Sequence, residues 1–191
     1  MAKDELKLKI YSKIQELNIA INKDLFDYGY EILNQYILLL LFSIIISILL
    51  EIQKELILFY IFFVPLRKNM GGFHFENKKV CLIFSIIISI FSSKIIRAEI
   101  FVSEKWSLVF LLMLVNIFLL GCQSHPNKQL TKFENKKYKQ KGLLLVVIYM
   151  CIGICCLDYN NFEIYNSIIL NILINYISNF AMFIKNEFIF K

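Results

Sequence analysis

Six apolar runs, separated by short charged segments, constrain this chain more than any other feature. They cover residues 32–50, 56–66, 80–93, 106–122, 143–157 and 164–184. Hydrophobic residues make up 58% of the 191 residues and charged residues 19%, whereas soluble domains average about 45–50% and 25%. This much apolar surface cannot be buried in one soluble core, and it is too much for a disordered chain. We predict an all-α polytopic membrane protein with about six transmembrane helices, folded as a single domain over residues 1–191.

The runs differ in how easily they span a bilayer. Runs 32–50 and 164–184 are long enough, since about 20 residues are needed. Run 56–66 has eleven residues, so it spans only if residues 51–55 join the helix end; otherwise it is re-entrant. Run 80–93 is also short, and can extend to Ile96 if the side chain of Lys94 reaches the membrane surface.

The N-terminal segment, residues 1–31, is expected to contain an amphipathic helix. Its apolar residues recur every three or four positions, which places them on one helix face: Leu6, Ile10, Ile14, Leu17, Ile21, Leu25 and Tyr28. The face can lie on the membrane surface, or it can pack on the rest of the protein or on a second copy. The pattern does not decide between these arrangements.

The distribution of basic residues predicts the orientation of the protein. With the N-terminus in the cytoplasm, 17 of the 21 Lys and Arg residues lie inside and 4 lie outside. The positive-inside rule favours this arrangement, which makes loops 67–79 and 123–142 cytoplasmic. The lysine blocks suit contact with anionic membrane lipids, and nucleic acid is not an expected partner.

Loop 67–79 and the residues after it contain the best candidates for chemistry. His74 and Cys81 provide an imidazole that can take a proton and a thiol that becomes a nucleophile on losing one. Gly71 and Gly72 permit positive φ and leave backbone N–H groups accessible to an oxyanion. On one straight helix His74 and Cys81 would be about 10.5 Å apart along the axis, so the chain must fold back to bring them into contact.

Other polar and cysteine positions give weaker signals. Cys122 and His125 form a rival pair for catalysis, without glycines beside it. At His74 and Cys81 a metal site is not expected, because one His and one Cys are too few ligands for zinc. We expect three further cysteines to serve helix packing: Cys151, Cys155 and Cys156. Four asparagines share one face of the last run and indicate interhelical hydrogen bonds more strongly than a substrate path: Asn166, Asn171, Asn175 and Asn179.

The arrangement Arg67-x-x-x-Gly71-Gly72-x-His74-x₆-Cys81 resembles the signature of the accessory gene regulator B (AgrB) family of membrane-embedded cysteine endopeptidases. The block of fifteen residues matches closely, and the rest agrees in length and general form. The resemblance implies that Cys81 is the nucleophile and His74 the general base. It also implies that Arg67, Gly71 and Gly72 bind substrate or shape the site. Phe75 departs from the small residue common in the family, and Glu76 has no assigned role.

The resemblance also implies a reaction and a setting. The substrate would be a quorum-sensing propeptide (AgrD-like), whose C-terminal tail is removed through an acyl-thioester on the cysteine before cyclisation to a thiolactone or lactone. It implies a homodimer in the bacterial cell membrane. No cofactor is expected, and the distribution of basic residues makes the catalytic loop cytoplasmic. Two other functions stay open from the residues alone. One is a small multi-pass peptide exporter or transporter subunit without covalent catalysis, and the other is a membrane scaffold.

Overall fold

The computed structural model describes residues 2–16, 22–73, 75, 77–101 and 131–189. These residues form an all-helical structure, as predicted, and they contain no strand. The helices are α1 (Ala2–Glu16), α2 (Lys23–Leu49), α3 (Gln53–Met70), α4 (Lys78–Arg97), α5 (Lys132–Asp158) and α6 (Phe162–Ile189). The chain forms two compact units, Met1–Phe42 and Ser43–Lys191, which are described separately below.

In the first unit, α1 packs against the beginning of α2. The Tyr11 and Phe26 rings lie 5.0 Å apart, and Lys7 forms an ion pair of 2.9 Å with Asp27. The predicted apolar stripe therefore does not follow one helix, because α1 ends at Glu16 and the stripe's last two residues belong to α2. Leu17 and Ile21 lie outside the described residues.

The second unit is built around α3. Six of its residues are buried: Glu55, Leu56, Phe59, Phe62, Leu66 and Met70. The helix begins at Gln53, so residues 53–55 do extend the short apolar run, to a helix about 27 Å long. Its four charged residues distinguish α3 from the most apolar helices: Lys54, Glu55, Arg67 and Lys68.

Contacts along α3 fix the directions of its neighbours. Lys54 pairs with Glu163 at the start of α6, and Arg67 contacts Ser178 near its end, so α3 and α6 run parallel. α5 runs the opposite way, because Phe62 packs on Tyr149 while Met70 packs on Gly142. The end of α3 and the beginnings of α4 and α5 therefore lie at one end of this unit.

Four described helices are long and apolar enough to cross a membrane: Phe26–Leu49, Lys78–Arg97, Phe133–Asp158 and Phe162–Lys185. This makes the chain a membrane protein, roughly as the six apolar runs predict. The predicted span 106–122 lies outside the described residues, together with Cys122 and His125. Among the later cysteines, Cys156 packs against the core, but Cys151 and Cys155 are exposed on the outer surface of α5. Among the described residues, packing within the chain therefore involves Cys156, while a role of Cys151 and Cys155 in helix packing stays a prediction.

Candidate functional site

The loop between α3 and α4 begins with two glycines in conformations that other residues rarely adopt. Gly71 has φ 71° and ψ −142°, and Gly72 has φ 130°. A Cβ atom on Gly72 would also lie 1.8 Å from Nη1 of Arg67. Gly72 is thus needed for two reasons, because it permits the backbone turn and leaves room for the guanidinium group.

Arg67 holds this loop from inside. Its Nη1 donates to the Gly71 carbonyl at 3.0 Å and to Oγ of Ser178, and its Nη2 donates to the Phe73 carbonyl. A planar guanidinium can bind several acceptors at fixed angles, which a lysine cannot do. These contacts fix the shape of the loop, while a role of Arg67 in binding substrate or in catalysis stays a prediction.

Ser178, on α6, attaches the same loop to a second helix. Its Oγ accepts from the Phe73 N–H at 2.9 Å, and its backbone carbonyl accepts from the same N–H at 3.1 Å. Sequence reasoning missed this residue, since one serine in an apolar helix resembles many others. Its position gives only a weak signal of a functional role, because it directly precedes Asn179, one of the four asparagines on the polar face of the helix.

The beginning of α4 positions Cys81. Asn77 caps the helix, and its side chain accepts from the Lys79 N–H at 3.0 Å and from the Val80 N–H at 3.5 Å. The Cys81 N–H donates to the Asn77 carbonyl at 3.0 Å, which makes it part of the first hydrogen-bonded turn. The Cys81 side chain is half-buried in that turn.

Aromatic rings connect the loop to α4. The Phe75 ring lies 5.0 Å from the Phe73 ring and 5.0 Å from the Phe84 ring. Phe84 is three residues after Cys81, so the loop packs beside the turn that carries the thiol. His74 and Glu76 lie outside the described residues, and the pairing of His74 with Cys81 stays a prediction.

A basic surface lies at the same end of the second unit. The first part of α5 presents exposed lysines at positions 136, 137 and 141. Gly142 follows them, and a Cβ on it would lie 2.9 Å from Cγ of Met70, the last residue of α3. This close approach places the lysine-rich start of α5 beside the end of α3, where the loop begins.

Comparison with known proteins identifies the family of this chain. The chain matches the family described as AgrB, Accessory gene regulator B, over residues 8–179. The chain belongs to the AgrB family. Membership links it to the processing of quorum-sensing peptides in the accessory gene regulator system.

Two relatives of this AgrB family member come from Clostridium perfringens. An AgrB-like protein of strain SM101 / Type A is 29% identical over 164 residues, which are 80% of this chain and 76% of the relative. An AgrB-like protein 2 of strain 13 / Type A is 29% identical over 141 residues, which are 69% of this chain and 65% of the relative. No solved structure matches the chain.

Within the described residues, no group of three or more His, Cys, Asp or Glu side chains could hold a metal ion.

Proposed function

We propose that this protein is a membrane-embedded cysteine endopeptidase that removes the C-terminal tail of an AgrD-like propeptide. The observation that supports the proposal most is the position of Cys81 in the first turn of α4, beside a loop held by Arg67 and Ser178. This geometry puts the Cys81 thiol at a capped helix end, and the ring of Phe75 packs on Phe84 of the same helix. Membership of the AgrB family supplies the substrate class.

The reaction begins with proton transfer from the Cys81 thiol to the imidazole of His74. The thiolate sulfur attacks the carbonyl carbon of the peptide bond that precedes the tail. As the tetrahedral intermediate collapses, the C–N bond breaks, the imidazolium donates its proton to the leaving amine, and the tail departs. An acyl-thioester then joins the rest of the propeptide to Cys81.

A second acyl transfer closes the ring. A cysteine or serine side chain of the propeptide attacks the thioester carbonyl, loses its proton to His74, and expels the Cys81 thiolate. The product is a thiolactone or lactone, and the imidazolium of His74 returns the proton to the Cys81 thiolate, which restores the starting state of the enzyme. Exclusion of water matters here, because hydrolysis of the thioester would give a linear product.

The basic surface suits an acidic tail. Lys68, Lys78 and Lys79 are exposed around the loop, and the lysines of α5 are exposed beside the end of α3. With the N-terminus and this end of the protein in the cytoplasm, the same lysines also contact anionic lipid headgroups. A homodimer is part of the proposal through the family resemblance.

The proposal is tested with purified protein in liposomes and the propeptide encoded in its own genome. Cys81→Ala and His74→Ala should each lower tail cleavage by about 10³-fold or more, because the nucleophile and its base act as one unit. Cys151→Ala is the matched control, since this thiol is exposed elsewhere on the protein, and it should cleave normally. Mass spectrometry should find the acyl adduct on Cys81. Tail cleavage by the Cys81→Ala protein would contradict the mechanism.

A further inference from the structure

The asparagine face of α6 is buried but largely unpaired. Asn166, Asn171 and Asn175 have no solvent exposure, and Asn179 has 2%. The bonds that they make differ from the interhelical bonds expected from sequence. Asn171 donates to the Ser167 carbonyl and Asn175 to the Asn171 carbonyl, both within α6. Only Asn166 bonds outside the helix among the described residues, where it accepts from the Phe101 N–H at 2.9 Å.

Five buried side-chain atoms on this face have no hydrogen-bond partner in the described structure. They are Asn166 Nδ2, Asn171 Oδ1, Asn175 Oδ1, Asn179 Nδ2 and Asn179 Oδ1. A buried polar group without a partner is unfavourable, so native proteins satisfy nearly all such groups with protein, water or ligand. The face therefore offers a row of unfilled hydrogen-bonding positions inside the membrane part of the protein.

We propose that this row, Asn171, Asn175 and Asn179, binds an extended segment of the propeptide through its backbone N–H groups. The three free oxygens recur every four residues, or about 6 Å along the helix axis. In an extended peptide, the N–H groups on one edge recur every two residues, or about 6.6 to 6.8 Å. The spacings agree closely enough for three successive acceptors to follow one edge of a peptide.

The bilayer makes such acceptors necessary. An extended peptide in hydrocarbon must have its backbone groups satisfied by protein, since no water is available. α6 already binds backbone in this way, because Ser178 accepts the Phe73 N–H through both its side chain and its carbonyl. Asn179 is the next residue, so the row begins beside the candidate site and continues into the membrane.

A single bound cation fits the row poorly. Oxygen ligands surround Ca²⁺ at about 2.3–2.6 Å, so two ligands of one ion lie within about 5 Å of each other. Acceptors that follow one another about 6 Å apart along the helix suit a linear ligand better than a point charge. Because the atoms are buried, binding requires the helices around α6 to separate as the peptide enters.

The inference rests on the proposed function, because it takes the propeptide as the ligand. The test measures binding of fluorescently labelled propeptide to the Cys81→Ala protein in liposomes, so it needs no covalent chemistry. Asn179→Leu and Asn175→Leu should each weaken binding about tenfold, and the double variant more. The unfolding temperature should stay the same or rise for Asn179→Leu, because neither polar atom of this side chain has a partner to lose.

Asn34→Leu is the matched control. It makes the same exchange on α2, where the Asn34 amide donates to the Tyr30 carbonyl, and it should leave binding unchanged. If the double variant binds the propeptide normally, the inference is wrong and the row serves only buried water or packing. No binding to the Cys81→Ala protein would also overturn it. These outcomes are distinct from cleavage by that protein, which would overturn the enzymatic mechanism instead.

A second measurement avoids any change in α6. Propeptides that carry one N-methylated amide each lack a single N–H donor. Within the bound segment, methylation should weaken binding at alternate positions, following the two-residue repeat of an extended chain. Uniform binding across all the methylated peptides would contradict the inference, even if the asparagine variants fail to fold.

Discussion

Arg67 shows how one side chain can set the shape of a whole loop. It begins on the last turn of α3 and binds the carbonyls of two residues in the loop that follows, as well as a hydroxyl on α6. Substitution by lysine would keep the charge but lose the fixed fork of donors. The guanidinium needs the space that Gly72 leaves empty, so these two residues act as a pair.

We expect Gly72→Ala to lower tail cleavage by about 10²-fold, the scale of a displacement of about 1 Å in a catalytic group. The new methyl group would meet Nη1 of Arg67 and occupy a backbone conformation with φ 130°. Gly29→Ala is the control, because nothing lies within 4 Å of a Cβ there and alanine favours a helix. Cleavage assays on both variants in liposomes decide the matter. Normal cleavage by Gly72→Ala would show that the packing of Arg67 against Gly72 is unimportant.

At the scale of secondary-structure elements, the way α4 begins matters more for the position of the Cys81 thiol than the length of the helix. The cap at Asn77 satisfies two N–H groups of the first turn, and Cys81 is the first residue whose N–H bonds within the helix pattern. A cap of this kind typically contributes about 1 kcal/mol to helix stability. The position of the thiol thus depends on a polar residue outside the helix that carries it.

We expect Asn77→Ala to destabilise this first turn by about 1 kcal/mol, which raises hydrogen exchange at Lys79 and Val80 about fivefold. Asn77→Ser keeps a side-chain acceptor and should exchange nearly as slowly as the original protein. Hydrogen exchange with mass spectrometry on peptides that cover residues 77–81 measures the effect. Equal exchange in all three proteins would mean that neighbouring contacts, and not the cap, hold the turn.

The elements also show how far sequence reasoning reaches. Apolar length predicted the membrane-spanning helices, and the glycine pair predicted positive φ at Gly71 and Gly72, because both signals are local. The apolar stripe predicted over residues 4–28 misled, because its helical spacing runs from α1 into α2, which are two separate helices. Ser178 could not be predicted, because its partners Arg67 and Phe73 are more than 100 residues away in sequence. The partners of the buried asparagines likewise depend on packing.

At the scale of the molecule, the two ends of the second unit differ in their charge. The loop, Cys81 and the exposed lysines of α5 lie at one end. The opposite end contains the ion pair of Lys54 with Glu163, and Arg97 donates there to the Glu51 carbonyl at 3.1 Å. The excess of positive charge at the first end is what the positive-inside rule requires of a cytoplasmic surface.

Labelling of single cysteines checks this orientation. In a protein whose native cysteines are replaced by alanine, Tyr159→Cys should react with a membrane-impermeant thiol reagent in intact cells, because Tyr159 is 85% exposed at the opposite end. Lys137→Cys should react only after the cells are opened. The reverse pattern would place the loop outside and would contradict the proposed topology.

The two ends of the second unit also differ in how well they would tolerate an inserted segment. Between Arg67 and Cys81 the backbone is held at three points, by the hydrogen bonds of Arg67, of Phe73 and of Cys81. An inserted residue would displace at least one of these bonds. The turn from Tyr159 to Asn161 makes only local backbone bonds and sits on the surface. An epitope or fluorescent reporter inserted there would lengthen the chain without moving the residues on which the chemistry depends.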